Sequence, residues 1–318
     1  MKAAVVNAAG ALPVFAEFDD PREQEGLQLV DVSASALSRV ARSKAAGSHY
    51  SSKGGFPFVA GIDGVGRLAD GQRVYFFGPQ APFGAMAERT VVSAATCVPL
   101  PDAIDDVTAA AIAIPAMSSW AALTERARFT AGETVLVNGA TGASGRLAVQ
   151  IAKHLGAAKV IATGRNAQTL DALRRAGADV TIPLTQDDAS LSAAFEQQFR
   201  DGVDVVLDYL WGPSARALLV AAAKTLEDGQ PLRVVQIGSI GGGEIELPGA
   251  VLRAAAITLM GSGIGSVPLP RLLHAVSSAL QSVAPAGLRI DTEAIPLADV
   301  TQHWERADSL VRTVFVTR

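Results

Sequence analysis

Cysteine is nearly absent. Cys97 is the single one in 318 residues, which excludes an internal disulfide and any zinc site built on several thiolates. Nothing beside it marks an activated thiolate, so a nucleophilic role is not expected. Aromatic residues make up 5% of the chain, yet hydrophobic residues make up 49%, so a sizeable core is still available. Lys/Arg blocks and basic helical faces are missing too. The formal net charge is -4, from 27 basic and 31 acidic residues, and this leaves no electrostatic footprint for nucleic acid or a membrane surface. No uninterrupted apolar run reaches the length that spans a bilayer. The opening MKAAVVNAAG lacks the basic leader, long apolar core and cleavage site of a secretory signal and reads as a first strand. Together these absences lead to the expectation of a soluble globular protein of a reducing cytoplasm whose ligand is small.

What is present concentrates between Glu133 and Arg165, ETVLVNGATGASGRLAVQIAKHLGAAKVIATGR. An apolar run, Thr134 to Asn138, enters a glycine turn. A helical pattern carried by Ala148, Ile151, Ala152 and Leu155 follows, and a second apolar run, Lys159 to Thr163, returns. This is a strand–turn–helix–strand unit. Gly139, Gly142 and Gly145 supply, between them, a tight turn, close approach of backbone to a phosphate, and close packing of helix on strand. The unpaired N–H groups and the positive dipole end of the following helix suit a pyrophosphate. The second strand ends in Gly164, Arg165 and Asn166, where an NAD site would carry a carboxylate. A guanidinium there favours a 2′-phosphate, so NADPH is expected over NADH. The alternative is that Arg165 is merely solvated.

At this length two domains are the default. Residues 1 to about 115 read as short strands and turns, among them Leu27 to Ser33, Gly66 to Ala69, Arg73 to Phe77 and Glu88 to Val92. The glycine cluster Gly61 to Gly66 has no helical pattern after it and reads as a strand corner. From Asp105 a helix-rich segment is expected, broken or kinked at Pro115. After the central unit the βα rhythm continues to Ile257–Met260, which implies a parallel, doubly wound sheet. The remainder does not extend that fold and is expected to return to the first domain.

Four stretches together resemble the zinc-independent quinone oxidoreductase branch of the medium-chain dehydrogenase/reductase family, which includes zeta-crystallin-like proteins. They are Gly61-Ile62-Asp63-Gly64-Val65-Gly66, the run Glu133 to Gly142, Asp208-Tyr209-Leu210-Trp211-Gly212, and Gln236-Ile237-Gly238-Ser239. The resemblance implies an α/β protein: a doubly wound parallel Rossmann domain over 117–267 and a mostly β, GroES-like catalytic domain from 1–116 and 268–318. It implies NADPH in the cleft between them. Gly139, Ala140, Thr141, Gly142, Ala143, Ser144 and Gly145 would hold the pyrophosphate, and Gly164, Arg165 and Asn166 the 2′-phosphate. Ile237, Gly238 and Ser239, with Gly261, Ser262 and Gly263, would lie beside the nicotinamide. Ser118 resembles the family's small hydroxyl residue near that ring, or else packs its helix. The resemblance also implies a homodimer through the strand near Ile257 to Met260.

Two departures shape the expected chemistry. The segment Ala36-Leu37-Ser38-Arg39-Val40 offers no thiolate or imidazole for a catalytic zinc, and Ser38-Arg39-Val40-Ala41 replaces the Asn-Pro-x-Asp stretch of many quinone reductases. Reduction of a quinone or an α,β-unsaturated carbonyl demands little beyond orientation, water exclusion and a donor to the developing oxyanion. His49 and Tyr50, in a polar loop, are the candidate donors; the alternative is a solvent-facing His49 and a packing Tyr50. His154, His274 and His303 read as structural. Two rival readings stay open: a zinc-free alcohol or aldehyde oxidoreductase, and an NADPH-binding sensor without useful turnover.

Overall fold

The computed structural model describes residues 1–47, 55–306 and 310–317. The chain divides into two compact units, Met1–Ile114 with Val276–Arg318, and Pro115–Ala275.

The first unit is mostly β. A three-stranded antiparallel sheet runs Val14–Glu17, Lys2–Val6, Phe58–Val59. A seven-stranded sheet runs Thr292–Pro296, Arg312–Val316, Leu27–Ala36, Asp63–Arg67, Arg73–Phe77, Cys97–Pro99, with Arg89–Ser93 also paired to Leu27–Ala36. Both chain ends therefore build one sheet: Val314 pairs with Ala36 and Phe315 with Ser35. The Gly61 to Gly66 cluster leads into the strand Asp63–Arg67, and the next element is another strand, Arg73–Phe77. Gly64 and Gly66 lie inside that strand, and only Gly61, at φ +96°, stands before it, so most of the cluster is strand rather than corner.

In the second unit six parallel strands lie in the order Val180–Pro183, Lys159–Gly164, Thr134–Asn138, Val205–Asp208, Pro231–Gln236, Ala256–Gly261. Counted along the chain that order is third, second, first, fourth, fifth, sixth. This is the doubly wound order, with its switch point between Thr134–Asn138 and Val205–Asp208. Three of the inner strands, Lys159–Gly164, Thr134–Asn138 and Val205–Asp208, are almost wholly buried, and so they read as continuous apolar runs. Leu136, Ile161, Val206 and Leu232 pack on one face with Phe195, Phe199, Leu218 and Leu219 from the helices Asp188–Arg200 and Gly212–Thr225. The helix Ala143–His154 contacts the strands Thr134–Asn138 and Lys159–Gly164.

One expectation needs correction. Pro115 does not break its helix: Asp106–Ala121 runs through it and continues as a π-helical segment, Ala122–Ala127, ending on Arg128 at φ 51°. The hydroxyls of Ser118 and Ser119 both reach back to the Pro115 carbonyl, at 2.8 and 3.3 Å, as serines inside helices do. The 22 residues Asp106–Ala127 are also long and apolar enough to cross a membrane by length and composition alone, although their apolar run is interrupted in sequence. Of their most apolar stretch, 67% is buried inside the protein, the disposition of a core helix.

Candidate functional site

The sheet brings the sequence-predicted cofactor residues of the second unit to one edge, because each group follows the carboxyl end of a parallel strand. Gly139 to Gly145 follow Thr134–Asn138, Gly164 to Asn166 end or follow Lys159–Gly164, and Ile237 to Ser239 follow Pro231–Gln236. Gln236 pairs with Gly261, and Ser262 N–H donates to Gln236 O at 2.8 Å, so Gly261 to Gly263 lie beside Ile237 to Ser239. Arg126 holds this end from the side, its Nε donating to Gly261 O at 2.8 Å.

Within the glycine turn the three roles separate cleanly. Gly139 sits at φ +90°, a region that L side chains avoid. A Cβ on Gly145 would lie 2.6 Å from Ala140 Cα and run into Gly139 O, so the helix rests on the turn at a spacing no other residue permits. Gly142 differs from both. Its φ is −82°, and a Cβ there would meet nothing nearer than Gly139 O at 4.0 Å. Packing within the chain does not require a glycine there, and the space beside it is open. Gly142 begins the helix Ala143–His154 with no side-chain cap, and Arg146 N–H is the first to bond back, to Gly142 O at 2.9 Å. The N–H groups of Ala143, Ser144 and Gly145, which precede it, have no intrahelical acceptor.

The strand ends are locked by buried polar residues that the glycine pattern alone does not flag. Gly139 N–H donates to Thr163 Oγ1 at 3.1 Å, and Thr163 Oγ1 donates to Asn138 Oδ1 at 2.7 Å. Asn138 Nδ2 donates to Asp208 Oδ1 at 2.9 Å and to Ser214 Oγ at 3.1 Å. The Asp208 carboxylate also accepts the N–H groups of Leu210 and Trp211, at 3.0 and 3.1 Å. Burial pushes the Asp208 carboxyl above its ordinary range, while these N–H donors pull it back. The signal is present in the sequence: Asn138, Thr163 and Asp208 are polar residues closing otherwise apolar strands.

Other predicted residues are placed as follows. Arg165 is exposed, and Asn166 caps the helix Ala167–Arg175, its Oδ1 accepting Thr169 N–H at 2.8 Å. That carbonyl oxygen is engaged within the chain, so Asn166 is left with its amide nitrogen for a ligand. Gly164 has no room for a side chain because Thr141 packs against it. Ser118 is half-buried, with its hydroxyl on Pro115 O. Its neighbour Ser119 is fully buried, 2.8 Å from the Tyr209 hydroxyl. His49 and Tyr50 lie outside the described residues. His154 stands against Trp120 at 6.0 Å between ring centroids, a packing role, and His274 is exposed on the helix Leu269–Gln281.

Substitution separates packing from ligand contact. Gly145→Ala should cost about 1–3 kcal/mol by overpacking, read as a lowered melting temperature. Gly142→Ala should cost less than about 1 kcal/mol but weaken dinucleotide binding at least roughly tenfold. Wild-type affinity in the second variant, measured by calorimetry, would remove Gly142 from the phosphate site.

Comparison with known proteins agrees with this geometry. A family model described as zinc-binding dehydrogenase matches residues 143–284. A "probable NADPH-dependent quinone reductase" of Emericella nidulans is 29% identical, over 97% of this chain and 98% of that protein. A chloroplastic NADPH-dependent alkenal/one oxidoreductase of Arabidopsis thaliana is 31% identical over 59% of this chain, which there spans 51% of the relative. Among solved structures, a "probable oxidoreductase" from Mycobacterium abscessus superposes with a TM-score of 0.79 at 27% identity, covering 99% of both chains. The quinone oxidoreductase of Thermus thermophilus, at 24% identity and a TM-score of 0.81 over 99% of this chain and 100% of that one, shares the fold. In its mostly β unit, its doubly wound sheet and these relatives, the chain is similar to the quinone oxidoreductases of the medium-chain dehydrogenase/reductase family.

Proposed function

We propose that this chain is an NADPH-dependent reductase that delivers hydride to a quinone or an α,β-unsaturated carbonyl without a zinc ion. One observation carries the reading. Gly142 presents an open face beside three N–H groups without an intrahelical acceptor, one strand away from an exposed arginine. That arrangement suits a dinucleotide with a 2′-phosphate. The residues from Gly139 to Gly145 would hold the pyrophosphate, Arg165 the 2′-phosphate, with Gly164 and Asn166 shaping its seat. Ile237 to Ser239 and Gly261 to Gly263 would flank the nicotinamide. NADPH, when bound, supplies the hydride; the chain binds and orients it and keeps water away.

A zinc-free reaction is supported by the ligand inventory. The chain has one cysteine, and among the described residues no group of three or more His, Cys, Asp or Glu is arranged to hold a metal. Quinones and enones tolerate this, because the anion left by hydride addition is itself stabilised and needs only a hydrogen-bond donor. His49 and Tyr50 are proposed as those donors, with Ser118 beside the nicotinamide. A homodimer is supported by the outermost strand Ala256–Gly261, whose free edge carries exposed Leu259 near exposed Leu252 and Ile264. A reducing cytoplasm suits a chain with one cysteine.

Steady-state rates with NADPH and NADH, using a 1,4-quinone and a small enone in the presence of a chelator, should favour NADPH and ignore the chelator. Arg165→Ala should reduce the NADPH/NADH preference by about ten- to a hundredfold, the value of one charge-assisted hydrogen bond. An unchanged preference means that Arg165 is only solvated, and loss of turnover with chelator means that the reaction uses a metal. Replacing His49 by Ala and Tyr50 by Phe together should lower kcat while leaving NADPH affinity intact; unaltered turnover would discard both as donors. Light scattering should give the mass of two chains, and a monomeric mass would remove the dimer.

A further inference from the structure

Tyr209, the first residue after the fourth strand of the parallel sheet, stands between two segments of the proposed dinucleotide site, the glycine turn and Ile237 to Ser239. Its N–H donates to Asn138 O at 3.0 Å, directly before the glycine turn. Its Cβ and the Leu210 side chain lie against Gly139, 3.4 and 2.8 Å from where a Cβ would stand there. On the other side Gly238 approaches so closely that its Cβ would be 2.6 Å from Tyr209 O. The backbone of Tyr209 thus touches both the phosphate turn and the segment from Ile237 to Ser239.

The phenol adds a third attachment. Tyr209 is 6% exposed, and its hydroxyl lies 2.8 Å from Oγ of Ser119, which is 0% exposed. Ser119 Oγ is in turn 3.4 Å from Ser144 O, in the first turn of the helix Ala143–His154, and 3.3 Å from Pro115 O. Burial pushes the Tyr209 hydroxyl up to about 12, against the pull of Ser119 and Ser118, so it keeps its proton throughout the neutral range. A buried hydroxyl pair of this kind is costly to leave half-made and therefore holds its geometry.

We propose that Tyr209 is the positioning residue of the dinucleotide site, its phenol locking the phosphate turn and its helix, through Ser119, at a set spacing from the segment Ile237 to Ser239. The inference rests on the dinucleotide reading above. A ligand that spans both segments needs that spacing. A ligand that occupies only the turn and the Arg165 side does not.

Calorimetric titration of NADPH and of adenosine 2′,5′-bisphosphate into wild-type protein, Tyr209→Phe, Ser119→Ala and the double variant tests this. Tyr209→Phe should bind NADPH roughly tenfold more weakly, the equivalent of about one hydrogen bond. It should hold the bisphosphate within about twofold of wild type. Ser119→Ala, which keeps the ring and its packing, should reproduce both results, and the double variant should be no worse than either single one because one link is lost in all three. Unchanged NADPH affinity in both single variants would overturn the proposal. So would equal weakening of the two ligands together with a fallen melting temperature, which marks a packing role alone. Wild-type protein that binds neither ligand would instead overturn the dinucleotide reading on which the proposal stands.

Discussion

Everything at the nucleotide edge depends on one buried hydrogen-bond chain across three neighbouring strand ends. It runs from Gly139 N–H through Thr163 to Asn138, and from Asn138 to Asp208 and the N–H groups of Leu210 and Trp211. Asn138, Thr163 and Asp208 are buried, so a shift of one of these strand ends would leave a donor or acceptor unmet at a cost of about 1–3 kcal/mol. Apolar side chains alone would let the turns settle in several positions. The polar chain selects one arrangement, and the turn after Asn138 and the loop after Asp208 are both held by it. Trp211 shows the strength of that hold: its backbone sits at φ 56° and ψ −154°, with the Asp208 carboxylate gripping its N–H. That backbone region is used almost only by glycine.

The parts of the site do different work on this scaffold. In the proposed site the unpaired N–H groups of Ala143, Ser144 and Gly145 would provide anion affinity of a kind any pyrophosphate could exploit. There Arg165, exposed at the end of the second strand, would add discrimination between cofactors rather than the bulk of their affinity, because solvent and salt weaken an exposed charge. The quinone or enone acceptor asks little more of the protein than a dry, oriented nicotinamide and a donor for the developing oxyanion. An unactivated carbonyl would need firmer polarisation.

Much of this is legible in the residues. The alternation of apolar runs and helical patterns points to the parallel sheet, and the glycine triplet between strand and helix points to the turn, because those features are local. Local reading fails where a property depends on distant partners. Tyr209 and Ser119 are 90 residues apart in sequence, and neither carries a pattern that announces the other. Pro115 signals a break or a kink, but the helix runs on through it, most of its apolar stretch enclosed by the core. Asn166 groups with the cofactor residues by position, while its side chain has a nearer use as a helix cap. Gly142 and Gly145 look identical in sequence, and only the space around each tells the open-faced glycine from the packing one.

The central claim is that the second unit holds a dinucleotide through its glycine turn and favours the one with a 2′-phosphate. Its most direct test is calorimetric titration of the full-length wild-type protein with NADPH and with NADH, at low and at physiological salt. NADPH binding tighter than NADH by at least roughly tenfold, with the gap narrowing as salt rises, is the expected result. Equal affinities at low salt, or no binding of either, would contradict it.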